Sequence, residues 1–550
     1  MQLVSSTKPS AKFLADKPDD RLKNSDLAFV GNYVYQGNYS GWQLWDAADP
    51  AHVTLKTAYV CPGSQSDVSV FRNLLFVSAE ATTGRTDCGI QGVTDTVSAD
   101  RARGIRVIDM SDVMNPRYVT TVQTCRGSHT HTVVPDPRDP DNVYIYVSGS
   151  AGVRSPHELP GCSDLAPTED PNSALFRIEV IQVPVAHPEQ AHIISSPRIF
   201  DSLTAPAKHA ESVADSLAQA ARRAARGAPP PAAGAGTRAG PNQCHDITVY
   251  PAIGLAGGAC GGYGLLLDIR DPAHPRRKYA AADSNFSFWH SATFSNDGRK
   301  VLFSDEWGGG TQPRCRVTDK PQWGADAIFT IDYNDQLAFR SYFKLPAPQT
   351  PEENCVAHNG SLIPVPGRDI MVQAWYQGGA DVFDWTDPSH PVEIAYFDRG
   401  PVNPAELTSA GYWSAYWYNG HIYGSEIARG IDILDLTPSP MLTQNEIDAA
   451  KLVRFDYLNV QAQPKFEWPA SFAVSRAYLD QLSRSRGLSQ ARIDAIAADL
   501  HKAEKMLGPD QAEALRALAR TLDRDTNGSS DAAKVGLLAE SVKKLAAATR

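Results

Sequence analysis

Over residues 1 to about 440, apolar positions come in short runs broken by polar turns, and one such unit recurs: GWQLWDAADPAHV, GIRVIDMSDVMNPRYV, YGLLLDIRDPAHPRRK, ADVFDWTDPSHPVEI and GIDILDLTPSP. Each is an apolar strand closed by Asp. In the first four, a polar, Pro-containing turn and another strand follow. Asp favours such a turn because its carboxylate caps nearby backbone, Pro because its ring presets φ. Two further strand sets complete the period. One set begins near Ser25, Ser66, His129, His245, His290, His358 and Trp413, and the other reads LLFVSAE, VYIYVSGSA, KVLFSDE, DIMVQAWY and HIYGSE. Four strands per period is the content of one propeller blade. Seven starts predict an all-β fold, a seven-bladed β-propeller.

The seventh period lacks a fourth strand after GIDILDL, while the N-terminal MQLVSSTKP alternates like an outer strand with no blade of its own. The two are expected to pair and close the ring. Residues 205–240 interrupt the approach to the fourth blade: Glu211 to Arg226 is Ala/Arg-rich and can form a helix, and a Pro/Gly/Ala linker follows. The chain is thus divided into a propeller at 1–440, with that helical and low-complexity insertion, and an α-helical C-terminal region at 441–550. Ala, Leu, Lys, Arg and Glu dominate Ala477–Arg550. Within it DRDTNGSSD places Asp523, Asp525, Asn527, Gly528 and Asp531 at calcium-loop offsets, but the twelfth position is Lys534 instead of a bidentate Glu. A polar connection between helices is the expected structure.

The Asp-closed strands resemble the LVIVD-repeat proteins, a bacterial propeller family. The resemblance covers residues 1 to about 440 and implies the propeller fold and a surface or exported setting, without an activity.

Composition narrows the function classes. At 550 residues and 42% hydrophobic, the chain can bury an extensive core. A net charge of −10 and the lack of a basic stripe argue against a nucleic-acid partner. No apolar run is long enough to span a bilayer, and residues 1–20 contain no secretory core. Either the chain is cytosolic or a leader is missing from the sequence as it stands. The eight cysteines favour an extracytoplasmic (secreted or periplasmic) setting. Cys61, Cys125, Cys244 and Cys355 precede first strands, and Cys88, Cys162, Cys260 and Cys315 follow second strands. Both loop classes emerge on one face of a propeller, so the pairs expected are Cys61–Cys88, Cys125–Cys162, Cys244–Cys260 and Cys315–Cys355. Unpaired buried thiols are the alternative.

Candidate chemistry sits on the same face. In SHTHTVVPDP, CHDITVYPAI, WHSATFSNDG and AHNGSLIPVP, four histidines fall in register: His129, His245, His290 and His358, each three residues before Thr132, Thr248, Thr293 or Ser361. Only 14 residues of the chain are histidine, yet four share one column. Imidazoles from consecutive blades at one level make a nitrogen cage for a transition metal, Fe(II), Cu(II) or Zn(II) rather than Mg or Ca. The alternative is that they hold channel waters and one another. His131, two residues along the same strand, is a candidate fifth ligand or substrate contact. The remaining arc presents Trp413, Ser25 and Ser66, none a strong ligand, so open coordination positions would face it. Glu80, Glu306 and Glu426 end second strands and are candidates to orient the imidazoles from behind. This histidine ring resembles the carotenoid cleavage oxygenases in architecture only, seven-bladed enzymes that hold Fe(II) by four histidines with glutamates behind them.

The function expected is a metal-dependent enzyme, an Fe- or Cu-using oxidoreductase acting by dioxygen chemistry on a small apolar or aromatic substrate. Its metal ligands would be His129, His245, His290 and His358, with Glu306, His131 and Trp413 around the reacting centre. A zinc hydrolase and a non-catalytic exported propeller binding protein or glycan are the alternatives.

Overall fold

The structure, a computed structural model, describes every residue except 14–22, 176, 226, 228–240 and 550. The recurring Asp is explained locally. Asp46, Asp109, Asp268 and Asp384 end their strands, and a carboxylate oxygen of each accepts the N–H two residues on, at 2.8–3.1 Å. The next Asp of each repeat, at 49, 112, 271 and 387, caps the following turn in the same way. Such Asx turns stop the strand and set its reversal. Glycine admits the chain at the other end. Gly41, Gly104 and Gly430 have φ of 148°, 146° and 117°, and a Cβ at any of them would lie 2.0 Å from the carbonyl of the adjoining outer strand.

These rules build four-stranded antiparallel units in succession; among the described residues one gains a fifth strand and two are joined into an eight-stranded sheet. Their first strands are Asn24–Val30, Val68–Phe71, Thr132–Pro135, Cys244–Tyr250, Trp289–Phe294, Asn359–Ile363 and Tyr412–Tyr418. Each first strand touches the next in chain order, and Tyr412–Tyr418 touches Asn24–Val30. The last unit takes its fourth strand from the N-terminus: Gln2–Thr7 lies antiparallel to Gly430–Asp435, with Gln2 opposite Asp435 and Thr7 opposite Ile431. The fold is an all-β propeller with a few helices attached. Apolar faces of neighbouring units pack on one another, and Trp42, Trp45, Trp289, Trp375, Trp385 and Trp417 are fully buried there.

In the insertion, helix α1 spans Val213–Ala225. The expected linker at 228–240 lies outside the described residues. The C-terminal region forms α2 (Gln444–Ala450), α3 (Phe472–Ser485), α4 (Gln490–Glu504), α5 (Gly508–Asp525) and α6 (Ala532–Ala548), which share an apolar core around Leu482, Ile496, Leu515, Leu522 and Val542. The calcium-like stretch is a connection: Thr526–Gly528 is a 3₁₀ turn and Asp531 caps α6 by accepting the Lys534 N–H. An ionic cluster docks the helices on the sheets. Arg368 bonds both Asp384 and Glu446, and Arg484 also bonds Glu446.

One part of this region departs from the helical expectation. Between α2 and α3 the chain is extended and crosses the propeller. Tyr457–Asn459 pairs with Ala28–Val30. The Asn459 amide brackets the backbone of Val70, and the Gln463 amide that of Phe294. Val249 exchanges backbone bonds with Gln461 and Gln463. The segment thus ties together first strands of four units, near the ends opposite the histidines, and covers that end of the channel.

Candidate metal centre

Several first strands begin irregularly, with register shifts between Asn24 and Leu27, Cys244 and Ile247, Trp289 and Ala292, and Tyr412 and Ser414. A bulge adds a residue and re-aims the strand. As a result two consecutive residues reach the axis. His245 and the next residue, Asp246, are both buried and bonded to each other at 3.0 Å. His245 and His290 lie within their strands, His358 immediately precedes its strand, and His129 stands three residues before Thr132, where its strand begins.

The four histidines form one arc. Ring centroids are 4.6 Å apart between His129 and His245, 3.9 Å between His245 and His290, and 4.1 Å between His290 and His358. Three of them are oriented from behind. His129 donates Nδ1–H to Glu80 Oε1 at 2.5 Å, His245 to Asp246 Oδ1, and His358 to the Trp413 carbonyl. Carboxylates and a carbonyl only accept, so these bonds place a proton on Nδ1 and leave Nε2 as the one ring nitrogen each could offer a metal. His290 differs: it is fully buried and neither ring nitrogen has a hydrogen-bond partner. Glu306 faces it, with carboxylate oxygens 3.7 Å from His290 Nε2 and 3.6 Å from His358 Nε2, and Tyr376 donates its hydroxyl to Glu306 at 2.5 Å.

Among the described residues, two sets of donor atoms converge closely enough to hold an ion: His290, Glu306 and His358, and His245, Asp246 and His290. Within each set the atoms lie within 4.8 Å of one another. His129 belongs to neither set. Burial and then repulsion from His245 hold His290 well below its ordinary value, and burial brings His358 to about 3, so both are neutral donors. Burial opposes charge on His245, but Asp246 outweighs it and raises the imidazole. Burial pushes Glu306 up despite the attraction of His245 and the Tyr376 bond. At Glu80 burial acts upward too, but His129 with the Ser150 and Ser64 hydroxyls brings it down to about 2. Neutral imidazoles beside a carboxylate suit a borderline transition metal.

A cavity of about 220 Å³ opens above this arc. Its floor is His129, His245, His358 and Glu306, and its walls are Tyr39, Phe288, Tyr376, Trp413 and Ile427, with Lys23 at the mouth. The insertion braces the rim. Arg314 lies over the Trp307 ring, 3.8 Å from its centroid, and bonds Glu211 and Asp215, while His209 packs on Trp307 and Trp323.

Of the remaining site residues read from the sequence, Glu80 stands behind a ring histidine, whereas Glu306 stands on the donor side. Glu426 accepts the N–H groups of Gly411, Ala428 and Arg429, and it bonds none of the ring histidines. His131 lies off the arc, bonded to Ser78 at 2.8 Å and 3.6 Å from Asp67. Trp413 lines the cavity, and its carbonyl orients His358. Asp246 was not legible: strict strand alternation assigns the residue after His245 to the other face, and the bulge overrides this. The only available signal was its position beside a column histidine.

All eight cysteines pair as expected: Cys61–Cys88, Cys125–Cys162, Cys244–Cys260 and Cys315–Cys355. Four bridges accord with an oxidising, extracytoplasmic environment. No helix among the described residues is long and apolar enough to cross a membrane.

No protein-family model matches the chain, and no curated protein matches it in sequence. Among solved structures it is similar to a periplasmic gluconolactonase of Pseudomonas aeruginosa, at 12% identity over 80% of this chain and 96% of that one, with a TM-score of 0.44. It is also similar to Kuenenia stuttgartiensis hydrazine synthase, at 10% identity over 74% and 93% with a TM-score of 0.42. The Myceliophteria thermophila Cps50 (Swd1) β-propeller domain aligns at 11% identity over 76% and 96%, with a TM-score of 0.41.

Proposed function

We propose that the chain is an extracytoplasmic metal-dependent enzyme, an Fe- or Cu-using oxidoreductase of small apolar or aromatic compounds, on a closed seven-bladed propeller of the LVIVD-repeat type spanning residues 1–440. The observation that carries the metal reading is the set of three Nδ1–H bonds at His129, His245 and His358, which occupy Nδ1 and leave Nε2 as the ring atom open to a metal, beside the unpartnered His290. Fe or Cu bound there would supply redox and dioxygen chemistry. The chain's own residues do the rest. Tyr39, Phe288, Tyr376 and Trp413 exclude water and stack against an apolar substrate. Glu306, raised by burial and bonded by Tyr376, is placed to take or hold a proton above the arc. A cavity of about 220 Å³ is of a size for a small molecule.

Glu306 also favours a second reading. A carboxylate beside an imidazole-held Zn(II) is the arrangement for activating water, which makes a zinc hydrolase the runner-up. A purely surface-binding propeller, with the histidines incidental, would have no metal. Elemental analysis of protein purified without chelators tests the reading. The expected result is near-stoichiometric Fe or Cu, lost in His245→Ala. Zn in its place selects the hydrolase, and a metal-free protein that takes up no ion on dialysis against Fe(II), Cu(II) or Zn(II) refutes both.

A further inference from the structure

We infer that His290 is shared between two cation sites, and that a second divalent ion binds on the Asp246 side of the arc. This rests on the metal reading above and extends it from one ion to two.

The two convergent donor sets meet only at His290. One set lies toward the cavity, where Glu306 faces His290 Nε2 and His358 Nε2. The other pairs His290 with His245 and Asp246. A single ion in the first set satisfies one nitrogen of His290 and leaves the other orphaned in a fully buried position, along with Asp246 Oδ2. Buried polar atoms without a partner are costly. An ion between Asp246 Oδ2 and the second nitrogen of His290 satisfies both orphans at once; the ring then releases its remaining N–H proton to the medium and bridges the two ions as an imidazolate.

The surrounding charge independently calls for a cation there. Asp26 and Asp67 occupy the same register as Asp246, one residue after the column, and all three are buried. Among the described residues their ionic partners are His131 at Asp67 and His245 at Asp246, with no lysine or arginine. Asp26 is instead held by neutral donors, Tyr416, Asn359 and Gln461. Gln461 comes from the extended segment that pairs with Ala28–Val30 and Val249. Burying several like charges in low dielectric is unfavourable unless a counter-charge accompanies them. A divalent ion with nitrogen and oxygen ligands meets that need, and the donor set suits Zn(II), Cu(II) or Mn(II).

The test is metal stoichiometry on full-length, disulfide-intact protein dialysed against Zn(II) and then against metal-free buffer. Asp246→Asn is the discriminating variant, because its amide oxygen can still accept the His245 Nδ1–H while the anionic ligand is lost. Two Zn(II) per wild-type chain falling to one in Asp246→Asn supports the shared site. His290→Ala should then retain fewer ions than Asp246→Asn. As a second readout, Cu(II)-loaded wild type should give an EPR signal diminished by coupling between two ions, and Asp246→Asn a full single-ion signal. One Zn(II) in both wild type and Asp246→Asn overturns the second site and leaves the single centre standing. No Zn(II) in wild type removes the centre itself, so the two failures are distinguishable.

Discussion

At the scale of single residues, the site is decided by what stands behind each imidazole. Glu80 fixes the His129 tautomer and keeps Nε2 free, so Glu80→Gln should weaken metal binding by about 10–100-fold, as losses of such supporting carboxylates do. Competition with a chromophoric chelator would measure it. Glu426 ends a second strand in the same way, yet it serves three backbone N–H groups instead of an imidazole. Glu426→Gln should therefore leave metal affinity unchanged while lowering the melting temperature, and a matching loss of metal would contradict this assignment. Tyr376→Phe removes the donor to Glu306 without reshaping the cavity wall. It should shift the pH dependence of turnover more than substrate affinity, readable as separate kcat and KM profiles. The glutamates look alike in sequence because each closes a second strand; only their neighbours across the channel separate their roles.

At the scale of elements, the helical region is joined to the sheets by the Arg368, Asp384, Glu446 and Arg484 cluster. Burial raises both carboxyls, but Arg368 acting on Asp384, and Arg484 with Arg368 acting on Glu446, bring both below their ordinary values. Folded carboxyls with lowered values stay ionised to lower pH than unfolded ones. Their contribution to stability is therefore complete above the unfolded carboxylate value, about 4, and is lost as pH falls through the folded values. Thermal melts between pH 7 and pH 3 should show stability falling over that window, and Arg368→Met should flatten the fall. The same change should cost about 3 kcal/mol at pH 7, the lower end for breaking a buried pair, because Asp384 keeps some solvent contact. A melt series identical to wild type would show that the cluster does not hold the interface. The extended segment at 457–466 docks by side-chain amides. Gln463→Leu, which leaves the backbone of Phe294 without either bond, should raise hydrogen exchange there before it affects the outer strands.

At the scale of the whole molecule, the N-terminal strand is joined to a strand more than four hundred residues on, and four disulfides cross-link the chain. Gln2–Thr7 completes the last unit, so deleting it should expose the outer edge of Gly430–Asp435 and promote self-association, detectable by light scattering. Denatured, unreduced protein should show no free thiol, and finding eight would refute both the pairing and the oxidising compartment. Each bridge is expected to contribute about 2–4 kcal/mol, chiefly by restricting the unfolded chain, so reduction should lower the melting temperature by much more than any single substitution above.

The period-2 strands, the Asp-closed turns, the N-terminal closing strand and the cysteine pairing could be read from the chain because each rests on a local rule repeated in every unit. Repetition turns a weak local preference into a register, and the register alone brought His129, His245, His290 and His358 to one level. What the tertiary structure decided has no local rule. The bulges that bring Asp246 to the axis beside His245 break the alternation on which a sequence reading depends. The segment around Gln461 carries no periodic signal, since its partners Val70, Val249 and Phe294 lie between 169 and 389 residues away and bond it through backbone and amide groups. Whether a glutamate orients an imidazole or faces its open nitrogen is set by which neighbouring strand it meets. Sequence fixes the order of donors around a channel, but their direction is fixed only when the strands pack.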